Sequence, residues 1–307
     1  MNRTMNTAQA SIRPSMRESD ALRRLVAAGR AALLLLAVLA AQGCSVREYA
    51  LNSLGDALAE GGATYAADDD IELIGAATPF GLKTYESLLA EVPEHRGLLL
   101  AAARGFTQYA YVYVQAPAER LMERDVAAGY AEQARARRLY LRARDYGQRG
   151  LREAPDDVAL LYWTAVAWAA AISLSKDDPG ALAGLPEVDA LVRRAERIDP
   201  DFDHGALHSF LIGYEMSRPN ARAGAEARAR AHFARAVELS GGMQAGPYVS
   251  LAESVCVETR ARREFESLLR QALAVDPDAR PEWRLVNLVM QRRARRLLAR
   301  TDELFPE

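Results

Sequence analysis

The stretch "PEHRGLLLAAARGF", Pro93–Phe106, decides the fold class. A proline that cannot continue a preceding helix is followed by an unbroken run rich in Leu and Ala that closes on an aromatic. Counting six, nine, ten and thirteen residues from Pro93 gives Leu99, Ala102, Ala103 and Phe106, one face of a helix. The same count from Pro155, in "PDDVALLYWTAVAW", gives Leu161, Thr164, Ala165 and Trp168. A large, a small, a small and an aromatic residue thus recur on one stripe, the small pair leaving room for a second helix to approach.

Outward from these two stretches the pattern continues. Breakers stand at Pro200 in "ERIDPD", Gly241 in "VELSGG" and Pro277 in "LAVDPD". Ala195 and Ala272 occupy the matching small positions before two of them, and Trp283 follows Pro277 by six residues. The order is that of the first helix in a tetratricopeptide repeat, although the prolines are spaced well beyond its period of about 34 residues. The reading is all-α: an α-solenoid of cryptic tetratricopeptide-like helical hairpins, stacked because one hairpin alone cannot bury its apolar face. Glu119–Arg144 reads as an insertion that lengthens a helix and supplies both charge signs for contacts with another chain. "SKDDPGALAGLPEVD" reads as a loop, broken by Pro179, Gly180, Gly184 and Pro186. Asp70, within "DDDIE", is placed as a helix N-cap.

The N-terminus has a separate logic. Arg17, Arg23, Arg24 and Arg30 precede the apolar run Ala31–Ala41, which at eleven residues is too short for a bilayer core of about 30 Å. A basic lead, a short apolar core and small residues before a break make a secretory signal. The break is Ala41-Gln42-Gly43-Cys44, which resembles a bacterial lipobox with Cys44 as the acylated residue. Met5 or Met16 are candidate starts. The expected organisation is a lipoprotein signal peptide over 1–43, an anchor and first helices over 44–78, and the repeat domain over 79–307. Ser45 after the cysteine, rather than Asp, points to the outer membrane.

Without residues 1–43 the chain keeps 33 basic and 39 acidic residues, a net charge of −6. That balance argues against nucleic-acid binding. Cys256 is then the sole cysteine besides Cys44, so the mature fold must be held by burial rather than by a disulfide.

Candidate chemistry is sparse. His204 and His208 share a helical i, i+4 spacing with Asp201 and Asp203 ahead of them, a conceivable metal pair, but no HExxH glutamate or third ligand accompanies them. His95 and His232 read as structural. No catalytic residue, metal site or cofactor is assigned. In "GFTQYAYVYVQ", Phe106, Tyr109 and Tyr113 form one stripe while Tyr111 points elsewhere. Tyrosine hydroxyls need partners, so the stripe is a candidate ligand lining with Phe106 at its packed end, and Trp163 and Trp168 are candidates for the same surface. The C-terminal Arg284, Arg292, Arg293, Arg295, Arg296 and Arg300 read as the polar outer face of a capping helix, in preference to a contact with anionic lipid.

The segment Asn52–Gln115 closely resembles the T-component (TatT) family of lipoproteins associated with TRAP transporters. Asn52, Leu54 and Asp56 match its first motif and Asp68–Asp70 its acidic turn, where Ile71 replaces the usual Pro. Phe80, Lys83, Glu86, Ser87, Phe106, Gln108 and Tyr109 match the remainder. The resemblance implies a non-enzymatic, all-helical lipoprotein facing the periplasm. It further implies a homotrimer with a hydrophobic pore, partnered with the periplasmic solute-binding protein (P component) of a TRAP transporter. The functional expectation is an accessory transport component that docks this partner and passes an apolar or amphipathic ligand. The alternatives are a general envelope scaffold without a small-molecule ligand, and an enzyme built on His204 and His208.

Overall fold

The computed structural model describes residues 16–218 and 223–306, with side chains omitted at 16–22 and 31–45. All regular elements among the described residues are helical. In chain order they are α1 (Met16–Glu60), α2 (Gly62–Ala66), α3 (Ile71–Glu91), α4 (Arg96–Tyr109), α5 (Ala116–Leu121), α6 (Val126–Glu153), α7 (Val158–Ser173) and α8 (Pro179–Leu182). Then follow α9 (Leu185–Ile198), α10 (Phe202–Ser217), α11 (Ala225–Ser240), α12 (Gly246–Leu251), α13 (Arg262–Ala274), α14 (Arg284–Ala299) and α15 (Thr301–Leu304). Two short π-helical segments, Ala110–Gln115 and Ala252–Cys256, continue α4 and α12.

The chain divides between Leu51 and Asn52. In the N-terminal portion Leu25, Val26, Val46 and Tyr49 are exposed along α1. Cys44 lies on this helix in a stretch whose side chains fall outside the described residues. No helix of the described residues is long and apolar enough to cross a membrane.

In Asn52–Glu307, successive helices pack against each other: α3 on α4, α4 on α6, α6 on α7, α7 on α9, α10 on α11, α12 on α13 and α13 on α14. The stripe residues are what they bury. Leu99, Ala102, Ala103 and Phe106 are buried, as are Leu161, Thr164 and Ala165 on α7, and Ala195, Ala272 and Trp283 further on. The small positions act as expected: a Cβ added at Gly147 of α6 would lie 2.0 Å from Thr164 Oγ1 and 3.3 Å from Thr164 Cα. Thr164 can sit there because its hydroxyl donates to Leu160 O at 2.6 Å.

Helix starts are set by side chains that accept the free amides of the first turn. Asp70 accepts from Leu73, Asp125 from Ala128 and Asp157 from Leu160. His95 does the same for α4 through Nδ1, which accepts from the Leu98 amide. Its Nε2 therefore carries the proton and donates to Asn52 O at 3.1 Å, tying α4 to the end of α1. Glu215, fully buried on α10, accepts from Arg193 of α9 and Arg228 of α11 and joins three helices at one carboxylate.

Three features differ from the sequence reading. Residues 78 and 79, the expected domain boundary, fall inside α3, where Pro79 sits in the body of the helix. Glu119–Arg144 is not one lengthened helix, because the chain turns at 122–125 and restarts at the Asp125 cap to give the 28-residue α6. The C-terminal α14 is not an outward-facing cap: it packs on α2 and α3, early helices of residues 52–307. There the Arg284 guanidinium donates to Ala67 O and Arg292 pairs with Glu72.

The α6–α7 contact yields a stability test. Gly147→Ala forces a methyl into Thr164, part of which is backbone, and is expected to cost about 1–3 kcal/mol. Gly213→Ala, on α10, meets nothing nearer than Ser254 Cβ at 4.0 Å and should leave stability unchanged or raise it. Thermal unfolding of the two variants beside the wild type checks this, and equal effects would show that the helices are not in close contact at Gly147.

Candidate functional site

The aromatic tract straddles the junction of α4 with the first π segment, and the wider π turn changes the direction of its side chains. Tyr109 and Tyr113 lie ring to ring at 5.5 Å. Tyr113 crosses Gly75 of α3, where an added Cβ would be 2.5 Å from its ring, and donates its hydroxyl proton to Ile71 O at 2.7 Å. Burial, with Glu72 nearby, pushes the Tyr113 hydroxyl up to about 12. Tyr109 is partly exposed beside Arg135 of α6. Phe106 is core: it stacks on Tyr146 at 5.9 Å with the Arg142 guanidinium over its ring.

The two tryptophans occupy other places. Trp163 meets Tyr162 edge to face at 5.1 Å. Trp168 carries the Arg144 guanidinium 5.2 Å over its ring and lines a groove of about 360 Å³ between α6, α7 and the loop through α8. The five sequence-predicted side chains thus fall into separate settings: Tyr109 with Tyr113, Phe106 in the α4–α6 core, Trp163 beside Tyr162, and Trp168 in the groove.

The tyrosine that the stripe left out reaches the most connected polar cluster. Tyr111, half-buried in the first π segment, lies under the Arg293 guanidinium, 5.9 Å from ring centre to Cζ. Arg293 grips Glu253, in the second π segment, with Nε and Nη2, both at 2.7 Å. Its Nη1 reaches Glu119 of α5 at 2.8 Å. Gln115 donates to Glu119 at 3.1 Å and accepts the buried Tyr140 hydroxyl at 2.7 Å. Arg296 adds bonds to Glu119 and Glu123.

Burial alone would raise the Glu119 pKa, but Arg293 and Gln115 outweigh it and hold the carboxyl below the ordinary range. Desolvation drives the hydroxyls of Tyr111 and Tyr140 upward, so both stay protonated, and Tyr140 donates to Gln115. Sequence reasoning assigned Arg293 to an outer face. The available signal was the polar stripe Asn287 and Gln291, one turn apart on α14 and both buried. Asn287 bonds Ala245 N and Met243 O, and Gln291 donates to Val275 O, so part of the buried face of this helix is polar beside Ala294 and Leu297.

The histidines pair differently from their spacing. Asp203, His204 and Gly205 adopt left-handed backbone angles inside α10, which breaks the i, i+4 relation. His204 packs edge-on against Trp283, whereas His208 meets His232 of α11, Nδ1 to Nδ1 at 2.8 Å. Burial lowers the pKa of both imidazoles, so one neutral ring donates to the other. No group of three or more potential metal ligands occurs among the described residues.

Residues 67–157 and 154–305 match the family model of the TRAP transporter T-component. The chain belongs to that family, and with it to TRAP transport systems as an accessory component. An uncharacterized protein of Treponema pallidum (strain Nichols) is 29% identical over 305 residues, covering 86% of this chain and 93% of the relative.

The Arg293 cluster predicts an acid limit. Glu119 has a folded-state pKa below its unfolded value, so its contribution is complete above the ordinary carboxylate pKa and is lost as pH falls through the depressed value. Arg293→Met leaves Glu253 without its cation and Glu119 with Arg296 alone, and is expected to cost about 3–5 kcal/mol at neutral pH. The deficit should shrink in acid, where the carboxyls protonate in either form. Urea unfolding of both proteins at neutral and acid pH measures it, and a deficit independent of pH would place the loss in packing alone.

Proposed function

We propose that this chain is a lipid-anchored accessory component of a TRAP transport system, acylated at Cys44 and facing the periplasm from the outer membrane. In that position it docks a periplasmic solute-binding protein and works without catalysis. The family match over residues 67–305 carries the reading. The lipobox-like Ala41–Cys44 and the lack of a helix able to span a bilayer among the described residues support attachment by lipid.

Assembly as a homotrimer is part of the proposal. The return of α14 to α2 and α3 brings late and early helices of residues 52–307 together, and copies around a closed axis would give the partner a shared entrance. Passage of an apolar or amphipathic ligand is proposed along the tyrosine-bearing segment, where Tyr109 and Tyr113 combine ring faces with polar tips. Trp163 and Trp168 remain proposed contacts for the same class of ligand.

Two experiments test this. Cys44→Ala should move the protein from the membrane to the soluble fraction, and unchanged membrane retention would refute the anchor. Wild-type protein purified from native envelope should retain a solute-binding protein encoded with a TRAP transporter. Purification without such a partner, under conditions that preserve the trimer, would refute the docking role.

A further inference from the structure

Helix α6 is, like α14, rich in arginine. It carries seven arginines against three acids in a protein whose net charge is −2. Some of its cations are answered locally, Arg144 by Asp145 and Arg142 by Glu86. Others are not. Arg138 is exposed and has no hydrogen-bond or ion-pair partner among the described residues. Arg137 reaches Asp178 only at 3.4 Å and keeps a buried Nε with no acceptor.

These side chains frame two grooves that share Leu141. One, of about 360 Å³, runs past Arg137 and Arg144 to the Trp168 indole. The other, of about 400 Å³, runs past Arg138 and Arg142. Guanidinium groups with unmet donors bind carboxylates in a bidentate fork, and an indole beside them offers an apolar shelf.

We propose that this double groove on α6 docks an acidic segment of a protein partner, its carboxylates on Arg137 and Arg138 and an apolar side chain on Trp168. The proposal rests on the docking role above and adds the face and its chemistry. A protein segment fits better than an anionic bilayer. Asp145, Asp178 and Glu187 lie among the arginines, so a uniformly negative plane would meet repulsion, whereas a folded segment can place each carboxylate.

The test uses the full-length chain in detergent and fluorescein-labelled hexaglutamate, read by anisotropy at low salt. Wild type should bind, and Arg138→Glu should weaken binding about tenfold. Arg295→Glu makes the same charge change at an exposed α14 arginine that is likewise unpaired among the described residues, and should cost less than about twofold. Adding a terminal Phe to the peptide should tighten binding to wild type and not to Trp168→Leu.

Equal loss from the Arg138 and Arg295 variants would overturn the assignment as bulk charge. So would Arg138→Glu abolishing sedimentation with phosphatidylglycerol vesicles while leaving the peptide untouched, or dissolving the oligomer in light scattering, since the face would then belong to lipid or to a second copy. Failure of the docking role itself reads out separately: wild type would retain no solute-binding protein from envelope. Equal retention by wild type and Arg138→Glu would leave the role standing and remove this face.

Discussion

A single guanidinium joins parts of the chain that the sequence keeps far apart. Arg293 stands on the C-terminal α14, Glu119 on α5 and Glu253 on the second π segment, and the three meet at 2.7–2.8 Å. A charge placed there loses much of its hydration, which two carboxylates at fork distance and an aromatic face restore. The cluster discriminates more than it stabilises. A one-residue slide of α14 would turn Arg293 away from both acids and move Asn287 and Gln291 off the loop carbonyls they hold. The π segments belong to the same constraint. An extra residue in the turn redirects Tyr111 and Glu253 relative to a regular α-helix, and both meet Arg293.

Much of the fold was legible because it depends on local chemistry. Pro93 and Pro155 mark turns, and the Leu–Ala–Ala–Phe and Leu–Thr–Ala stripes are buried because helical periodicity dictates which residues share a face. Asp70 caps α3 because a carboxylate at that position meets a free amide whatever surrounds it. What was not legible depends on partners distant in sequence. No local rule announces a π turn at Ala110 or at Ala252, and none says that the polar residues of α14 face inward.

The candidate site divides along the same line. Tyr113 finds its hydroxyl partner at Ile71 O because Gly75 leaves a gap for the ring, a match between two segments some forty residues apart. The histidine spacing misled for a conformational reason. Three consecutive left-handed residues, Asp203, His204 and Gly205, costing roughly 1–2 kcal/mol for each that is not glycine, place His204 outside the regular helix that holds His208. Gly205 lies only 3.1 Å, measured from an added Cβ, from Ala236 Cα, so α11 packs against the break itself and leaves His208 opposite His232.

Two nearly identical heptapeptides show why residue type alone could not separate scaffold from surface. Gln133–Leu139 reads QARARRL and Gln291–Leu297 reads QRRARRL. In each the central alanine, Ala136 or Ala294, is fully buried, so the two helices present the same register to their neighbours. The arginines that flank it nevertheless fare oppositely. Arg293 and Arg296 keep about a fifth of their side-chain surface and are fixed by Glu119, Glu123 and Glu253, while their counterparts Arg135 and Arg138 lie open on α6. The difference lies in the opposing elements: α14 returns to a wall lined with glutamates, whereas α6 turns these cations away from the core. The same string of residues therefore buries its arginines among glutamates on α14 and leaves Arg135 and Arg138 exposed on α6, and topology decides which.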